Sequence, residues 1–178
     1  MAGSQSAFER IVRRYQRPVI SLISKVLGAR GDRATAEDLA QETFVKAYLK
    51  LAAFDTTRRF SSWLFRIAHN TTIDAMRRSR LAVVSSEDPA EIETLADASP
   101  ADAAPDPLET AALGRALDEA LSALRPEYRA AIMLRYEEGL PFEDIGHVLS
   151  VPESTARSYV HRGRKQLAAR LSQAGWHP

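Results

Sequence analysis

Near the end of the sequence, Ser154, Ser158, His161 and Lys165 recur at three- and four-residue steps, with Arg157 and Arg164 on one shoulder and Arg162 on the other. At about 100° per residue this row lies opposite Ala156, Val160, Gly163, Leu167 and Leu171, which fall within about 80° of one another and form a packing stripe. A helical face of hydroxyl, imidazole and cationic donors suits the major groove of duplex DNA. Ser154, Arg157, Ser158 and His161 are placed to reach base edges, whereas Arg162, Arg164 and Lys165 are expected on phosphates, which position the duplex without reading it. The bland alternative is a solvated basic helix.

A second constellation lies upstream. Arg66, Asn70, Ile73 and Arg77 share one side of a helix, and the loop before it carries Phe54, Arg58, Arg59 and Phe60. Asn70 offers both a donor and an acceptor to a base edge, and aromatics beside cations suit an unpaired strand. Each base stacked on an aromatic ring is worth roughly 1 to 3 kcal/mol, enough to help hold a nucleotide out of a duplex. Trp63 and Phe60 are expected in the core, with Phe54 divided between core and surface. A third group, Asp38, Gln41, Glu42 and Val45, falls within an arc of about 100°. Two readings account for it: a face for a protein partner, or acids complementing the helix dipole, the latter covering Glu37 and Asp38 better than Glu42.

Other chemistries find little support. The sequence contains no cysteine, and its four histidines, His69, His147, His161 and His177, show no paired i, i+4 spacing. A disulfide framework and thiolate metal sites are excluded, and a metal or other cofactor is not expected. No acid–base constellation points to an enzyme. No window approaches the roughly 18 apolar residues of a membrane span, so a cytoplasmic protein without membrane insertion is expected.

The elements that must position these groups are helical, because apolar residues recur at three- and four-residue steps and strand-like alternation is absent. Phe8, Val12, Tyr15, Val19, Leu22, Ile23 and Val26 form the stripe of a first helix, with Pro18 an expected kink or break and Gly28 and Gly31 an expected end. A second helix is expected from near Thr35 toward Leu51, and a third from after Ser61 or Ser62 through Arg80. Leu113, Leu117, Leu121 and Leu124 mark a fourth helix, interrupted at Pro126. Tyr128, Ile132, Met133 and Tyr136 mark the next, closed by Gly139. Phe142, Ile145, Val148 and Leu149 make a short helix, and after the turn Ser150-Val151-Pro152 the last helix runs from Glu153 to about Leu171. Short helix, turn and longer basic helix form a helix-turn-helix pattern.

The length of 178 residues suits one medium domain or two small ones, and the net charge of +1 conceals an asymmetry. Residues 1–84 carry 15 Lys/Arg against 7 Asp/Glu, a balance of +8, whereas residues 85–112 carry 8 acids and no base. Pro89, Pro100, Pro105 and Pro107 lie in that acidic stretch, which holds too few large apolar groups to offset the entropy of ordering it. The expected organisation is all-α: a module at 1–84, an acidic linker at 85–107 and a module at 108–178. Fully extended, the linker reaches roughly 75 Å, so the two modules could sit about two turns of duplex apart.

These residues resemble the bacterial sigma factors of the extracytoplasmic-function type, group 4 of the sigma-70 family. AEDLAQETFVKAY looks like sigma region 2.2, FSSWLFRIAHNTTIDAMRR like regions 2.3 and 2.4, and LPFEDIGHVLSVPESTARSYVHRGRKQL like region 4.2. The resemblance implies two small helical domains and a protein that binds core RNA polymerase, directs it to promoters and helps open the DNA without catalysing bond formation. It implies that Asp38, Gln41, Glu42 and Val45 dock on the clamp helices of the beta-prime subunit, and that region 4 meets the beta-subunit flap. It further implies minus-ten recognition and melting by Phe54, Arg58, Arg59, Arg66, Asn70 and Arg77, with Phe54 and Asn70 matching the pocket for a flipped base. Minus-35 recognition falls to Ser154, Thr155, Arg157, Ser158, His161, Arg162, Arg164 and Lys165. An anti-sigma factor is a family expectation, and the acidic linker could mimic a nucleic-acid strand.

Several positions depart from the family pattern. Gly146 and Gly163 stand where alanine is commoner, each costing about 1 kcal/mol of helix propensity, and Ser150 replaces the usual turn glycine. A weakly stable region 4 is therefore expected. Ser154 and Tyr159 also differ from common choices, so the promoter sequence does not transfer from relatives. The competing readings are a stand-alone helix-turn-helix regulator, a helical enzyme such as a nuclease or phosphohydrolase, and a partner-binding adaptor.

Overall fold

The computed structural model of the chain describes residues 2–28, 31–84 and 107–176. Seven α-helices appear among them: α1 (Ala2–Leu27), α2 (Arg33–Lys50), α3 (Phe60–Val84), α4 (Pro107–Ser122), α5 (Pro126–Tyr136), α6 (Phe142–Leu149) and α7 (Glu153–Gln173). A single 3₁₀ turn, Leu51–Ala53, follows α2. The acidic stretch 85–106, with Pro89, Pro100 and Pro105, lies outside the described residues.

Helix α1 does not break at Pro18. The proline lacks the N–H that would bond the carbonyl of Arg14, but Val19, Leu22, Ile23 and Val26 immediately beyond it are all buried, and that packing carries the helix through. Helix α2 starts two residues earlier than its acids indicated. Asp32 is its N-cap, and the carboxylate accepts from the Thr35 backbone N–H at 2.7 Å, which places Glu37 and Asp38 in the second turn rather than the first. That bond, with the Thr35 hydroxyl, holds the Asp32 carboxyl below its ordinary pKa. Helix α3 likewise begins at Phe60, slightly before the serines.

The two modules are packed against each other. One apolar cluster runs from Val19, Ile23 and Val26 of α1 through Leu64, Phe65 and Ala68 of α3 to Ala130 and Leu134 of α5 and Ile145 and Val148 of α6, all buried. A smaller cluster, Leu121, Leu124, Tyr128 and Ile132, lies under α4 and α7. At the seam Arg129 of α5 is buried, and its guanidinium lies against the C-terminal end of α1 and donates to the Ser122 carbonyl at 3.2 Å. Gly28, at φ +60°, makes room for it, because a Cβ there would fall on the guanidinium. A cation at the end of a helix also meets the negative pole of its dipole.

The glycines of the second module are explained by close approach. A Cβ on Gly146 would lie 2.7 Å from the Val151 carbonyl oxygen, and one on Gly163 would lie 2.7 Å from Cδ1 of Ile132. Their low helix propensity is the cost of tight helix contacts. Ser150, by contrast, holds the left-handed conformation at φ 57° that closes α6, with the Val151 N–H bonded to the Gly146 carbonyl at 2.9 Å. A non-glycine residue in that region is disfavoured by roughly 1 to 2 kcal/mol. Two thermal melts separate these effects. Ser150→Gly is expected to raise Tm by about 2 to 4 °C. Gly163→Ala is expected to lower Tm despite its gain of about 1 kcal/mol in helix propensity.

Candidate nucleic-acid interface

Three surfaces carry the side chains singled out from the sequence. On α7 the packing stripe is as expected: Ala156, Val160 and Gly163 are buried, with Leu167 and Leu171 half-buried. The opposite face is open, with Ser154, Arg157, Ser158, His161, Arg162, Arg164 and Lys165 all exposed and Thr155 half-buried. Pro141 leads into α6, where Glu143 and Asp144 occupy the first turn, and the tight Ser150 turn sets α7 at its angle to α6. Phe142 lies between two guanidinium groups, Arg135 at 4.8 Å and Arg157 at 4.7 Å from its ring centre. Arg157 also pairs with Glu153 at 2.8 Å, and Ser158 donates to the Ser154 carbonyl at 3.0 Å. Ser158 Oγ can still accept from a base in this arrangement, and Arg157 has further N–H donors. Arg164 stands over the Tyr136 ring at 6.0 Å.

The second surface surrounds the start of α3. Phe54, Phe60 and Trp63 form a half-buried aromatic trio, with ring centres 5.1 to 5.4 Å apart. Trp63 and Phe60 therefore belong to the surface cluster as well as to the core edge. The loop before α3 is shaped by Asp55, whose carboxylate accepts from the Thr57 hydroxyl at 2.7 Å and its N–H at 3.0 Å, lowering the Asp55 pKa. Arg58 lies 3.7 Å from Asp55. Asn70 and Arg77 are exposed, but Arg66 is half-buried, its Nη1 donating to His147 Nε2 of α6 at 3.2 Å, and Arg59 lies 3.6 Å from Asp144 of the same helix. No local pattern in the sequence indicates that α6 reaches these arginines.

The third surface is on α2. Asp38, Gln41 and Val45 are exposed, and Glu42, half-buried, pairs with Lys46 at 2.7 Å. Lys46 also donates to the Thr71 hydroxyl of α3 at 3.2 Å, tying the acidic face of α2 to the helix that carries Asn70. Val45 is continuous with Tyr48 and Leu49, both more than half exposed, in a shallow apolar groove completed by Phe8 of α1. Sequence reasoning found Val45 but missed this extension, although Tyr48 and Leu49 follow it by three and four residues.

The comparisons with known proteins fit this division. The sigma-70 region 2 family matches residues 11–81, and the sigma-70 region 4 family matches residues 114–167. Over 173 residues the chain is 35% identical to the ECF RNA polymerase sigma factor SigW of Bacillus subtilis, covering 95% of this chain and 91% of that one. The chain belongs to the ECF sigma factors. The RNA polymerase sigma factor CarQ of Myxococcus xanthus is also 35% identical, with 96% of this chain and 92% of CarQ covered. Among solved structures, the sigma factor RpoE of Bartonella quintana, bound to the anti-sigma factor NepR, superposes with a TM-score of 0.72 at 26% identity, over 92% of this sigma factor and 98% of RpoE. CnrH, in complex with the cytosolic domain of CnrY, superposes with a TM-score of 0.64 at 26% identity, over 97% and 92% of the two chains.

In this sigma factor the region 2 match ends within α3 and the region 4 match begins within α4. Among the described residues no helix is long and apolar enough to cross a membrane.

Proposed function

We propose that this chain recruits core RNA polymerase to promoters in the cytoplasm and opens the DNA there, reading a minus-35 element with α7 and a minus-ten element with the start of α3. The observation that carries this reading is the presence, in one chain and in order, of both sigma regions, with the polar face of α7 turned outward. A stand-alone regulator would have no use for the region 2 module.

The nucleic-acid roles are supported by the chemistry of each surface, and the polymerase contacts by the family resemblance. On α7, Ser154, Thr155, Arg157, Ser158 and His161 supply donors and acceptors to base edges in the major groove, and Arg162, Arg164 and Lys165 neutralise phosphates. At α3, Phe54 with the neighbouring aromatic rings gives an unstacked base a surface, Asn70 reads its edge, and Arg58, Arg59, Arg66 and Arg77 hold the backbone. Asp38, Gln41, Glu42 and Val45 of α2 meet the beta-prime clamp helices, and region 4 meets the beta flap. Nucleotide addition is left to the polymerase. An anti-sigma factor is a further expected partner, since the relative RpoE is held by one. The linker at 85–107, placed between the modules at 1–84 and 108–178, lends its acidic charge to the polymerase channels.

The deciding experiment is transcription in vitro with core polymerase and a pooled promoter library, with and without the protein. New transcript starts sharing two upstream elements are expected; core binding without defined starts would favour an adaptor, and neither result would favour a stand-alone regulator. Asn70→Ala is expected to impair opening, read by permanganate reactivity, more than core binding; equal loss of both would indicate a folding defect. Arg164→Ala or Lys165→Ala is expected to weaken duplex binding across sequences and to reduce the salt slope by about one unit per lost phosphate contact. An unchanged slope would assign those residues to a solvated face.

A further inference from the structure

Reading two promoter elements requires the two modules to separate, yet here α6 packs directly on α3. At about 100° per residue Ser62, Arg66, His69 and Ile73 share one side of α3, and Asn70 and Arg77 border it. The helix therefore turns toward α6 much of the face it would turn toward DNA. Across the seam Arg66 donates to His147 Nε2, and Arg59 faces Asp144. Lys25 of α1 pairs with Asp118 of α4, and the Ser21 hydroxyl donates to Glu137 at 3.2 Å.

The seam is apolar at its centre and incompletely bonded at its polar edge. Among the described residues Ser62 Oγ and His147 Nδ1 are buried with no hydrogen-bond partner, and Glu127 Oε2 lies 3.6 Å from Arg125 Nε. Such atoms weaken a contact relative to one with every group satisfied. The Arg66–His147 bond adds a second property. A guanidinium only donates, so Nε2 must present its lone pair and the imidazole must be neutral.

We propose that the contact between α3 and α6 is a proton-sensitive latch: neutral His147 accepts from Arg66 and holds the modules closed, and a proton on His147 breaks that bond and releases the minus-ten face. The proposal rests on the initiation-factor reading for its consequence, but not for its geometry.

The charges around His147 favour this direction. From region 2 it faces Arg66 on α3 and Arg58 in the preceding loop, and on its own helix Asp144, which is shared with Arg59. Of the other helices against α6, α5 directs Arg135 to the Leu140 carbonyl and the Phe142 ring, and α7 pairs Glu153 with Arg157. Burial, then Arg66 and Arg58, depress the His147 pKa, with Asp144 opposing. His69 is depressed as well, by burial, against its contact with Asn70 and the charge of Glu127. A histidine with a depressed pKa in the closed state binds protons more weakly there than when open. The closed arrangement therefore keeps its full stability above the ordinary imidazole range, near 6.5, and loses it as pH falls through that range.

The test uses the full chain, which contains no native cysteine to compete for labels. Dyes are placed through Arg13→Cys and Gln173→Cys, at exposed positions one in each module, and energy transfer is followed as pH changes. From about pH 7.5 to about pH 5.5 the ratio of closed to open molecules is expected to fall about threefold or more. His147→Gln, which retains an acceptor but does not titrate, is expected to remove most of that response while remaining closed. His147→Lys, permanently charged, is expected to be open at about pH 7.5. Circular dichroism verifies that each variant retains its helices. A flat response in the unmodified chain, or an equal response in His147→Gln, would overturn the latch and leave the initiation-factor reading intact. A protein that opens in acid but never directs core polymerase to a promoter would overturn that reading alone.

Discussion

The structure depends on one seam, where α1 and α3 present their apolar stripes to α5 and α6. An amphipathic helix gains most of its stability from burying one face, and here Ile23, Phe65, Leu134 and Ile145 are buried in the same cluster although they come from opposite ends of the chain. Once that seam is closed, the remaining choices narrow. Arg129 must find room at the end of α1, so position 28 carries glycine, and α6 must lie across α3, so Arg59 and Arg66 meet Asp144 and His147. The same seam sets the spacing between the open face of α7 and the aromatic trio at Phe54.

Most of the helical elements were legible in the sequence, because each carries a long apolar period bounded by a recognisable stop. The α7 stripe and its opposite polar face follow from periodicity alone, and so does the short α6 before the Ser150 turn. The errors fall where a local rule met tertiary packing. Pro18 reads as a kink or break, yet the helix continues through it beside four buried aliphatic residues, and Thr35 reads as a start although Asp32, three residues earlier, supplies the cap. Gly146 and Gly163 read as losses of helix propensity, whereas the missing Cβ atoms allow approaches to Val151 and Ile132.

The candidate surfaces were legible to different degrees for a related reason. A single helix determines which of its own residues share a face, so the rows on α2, α3 and α7 are legible from periodicity alone. It does not determine what another helix will place against that face. The partnership of Arg66 with His147 spans 81 positions and has no local signal, and the same holds for Lys46 with Thr71 across 25. The polar face of α7 is exposed among the described residues, as its periodicity indicates.

The aromatic trio gives the molecule an optical property. Trp63, one of two tryptophans, stands half-buried with Phe54 and Phe60 at the surface proposed to receive an unpaired base. A nucleobase stacked there would exchange electron density with the excited indole and compete with its emission. Trp176, the second tryptophan, is not part of the trio. The intrinsic ultraviolet fluorescence of the unlabelled protein thus carries a signal of strand capture.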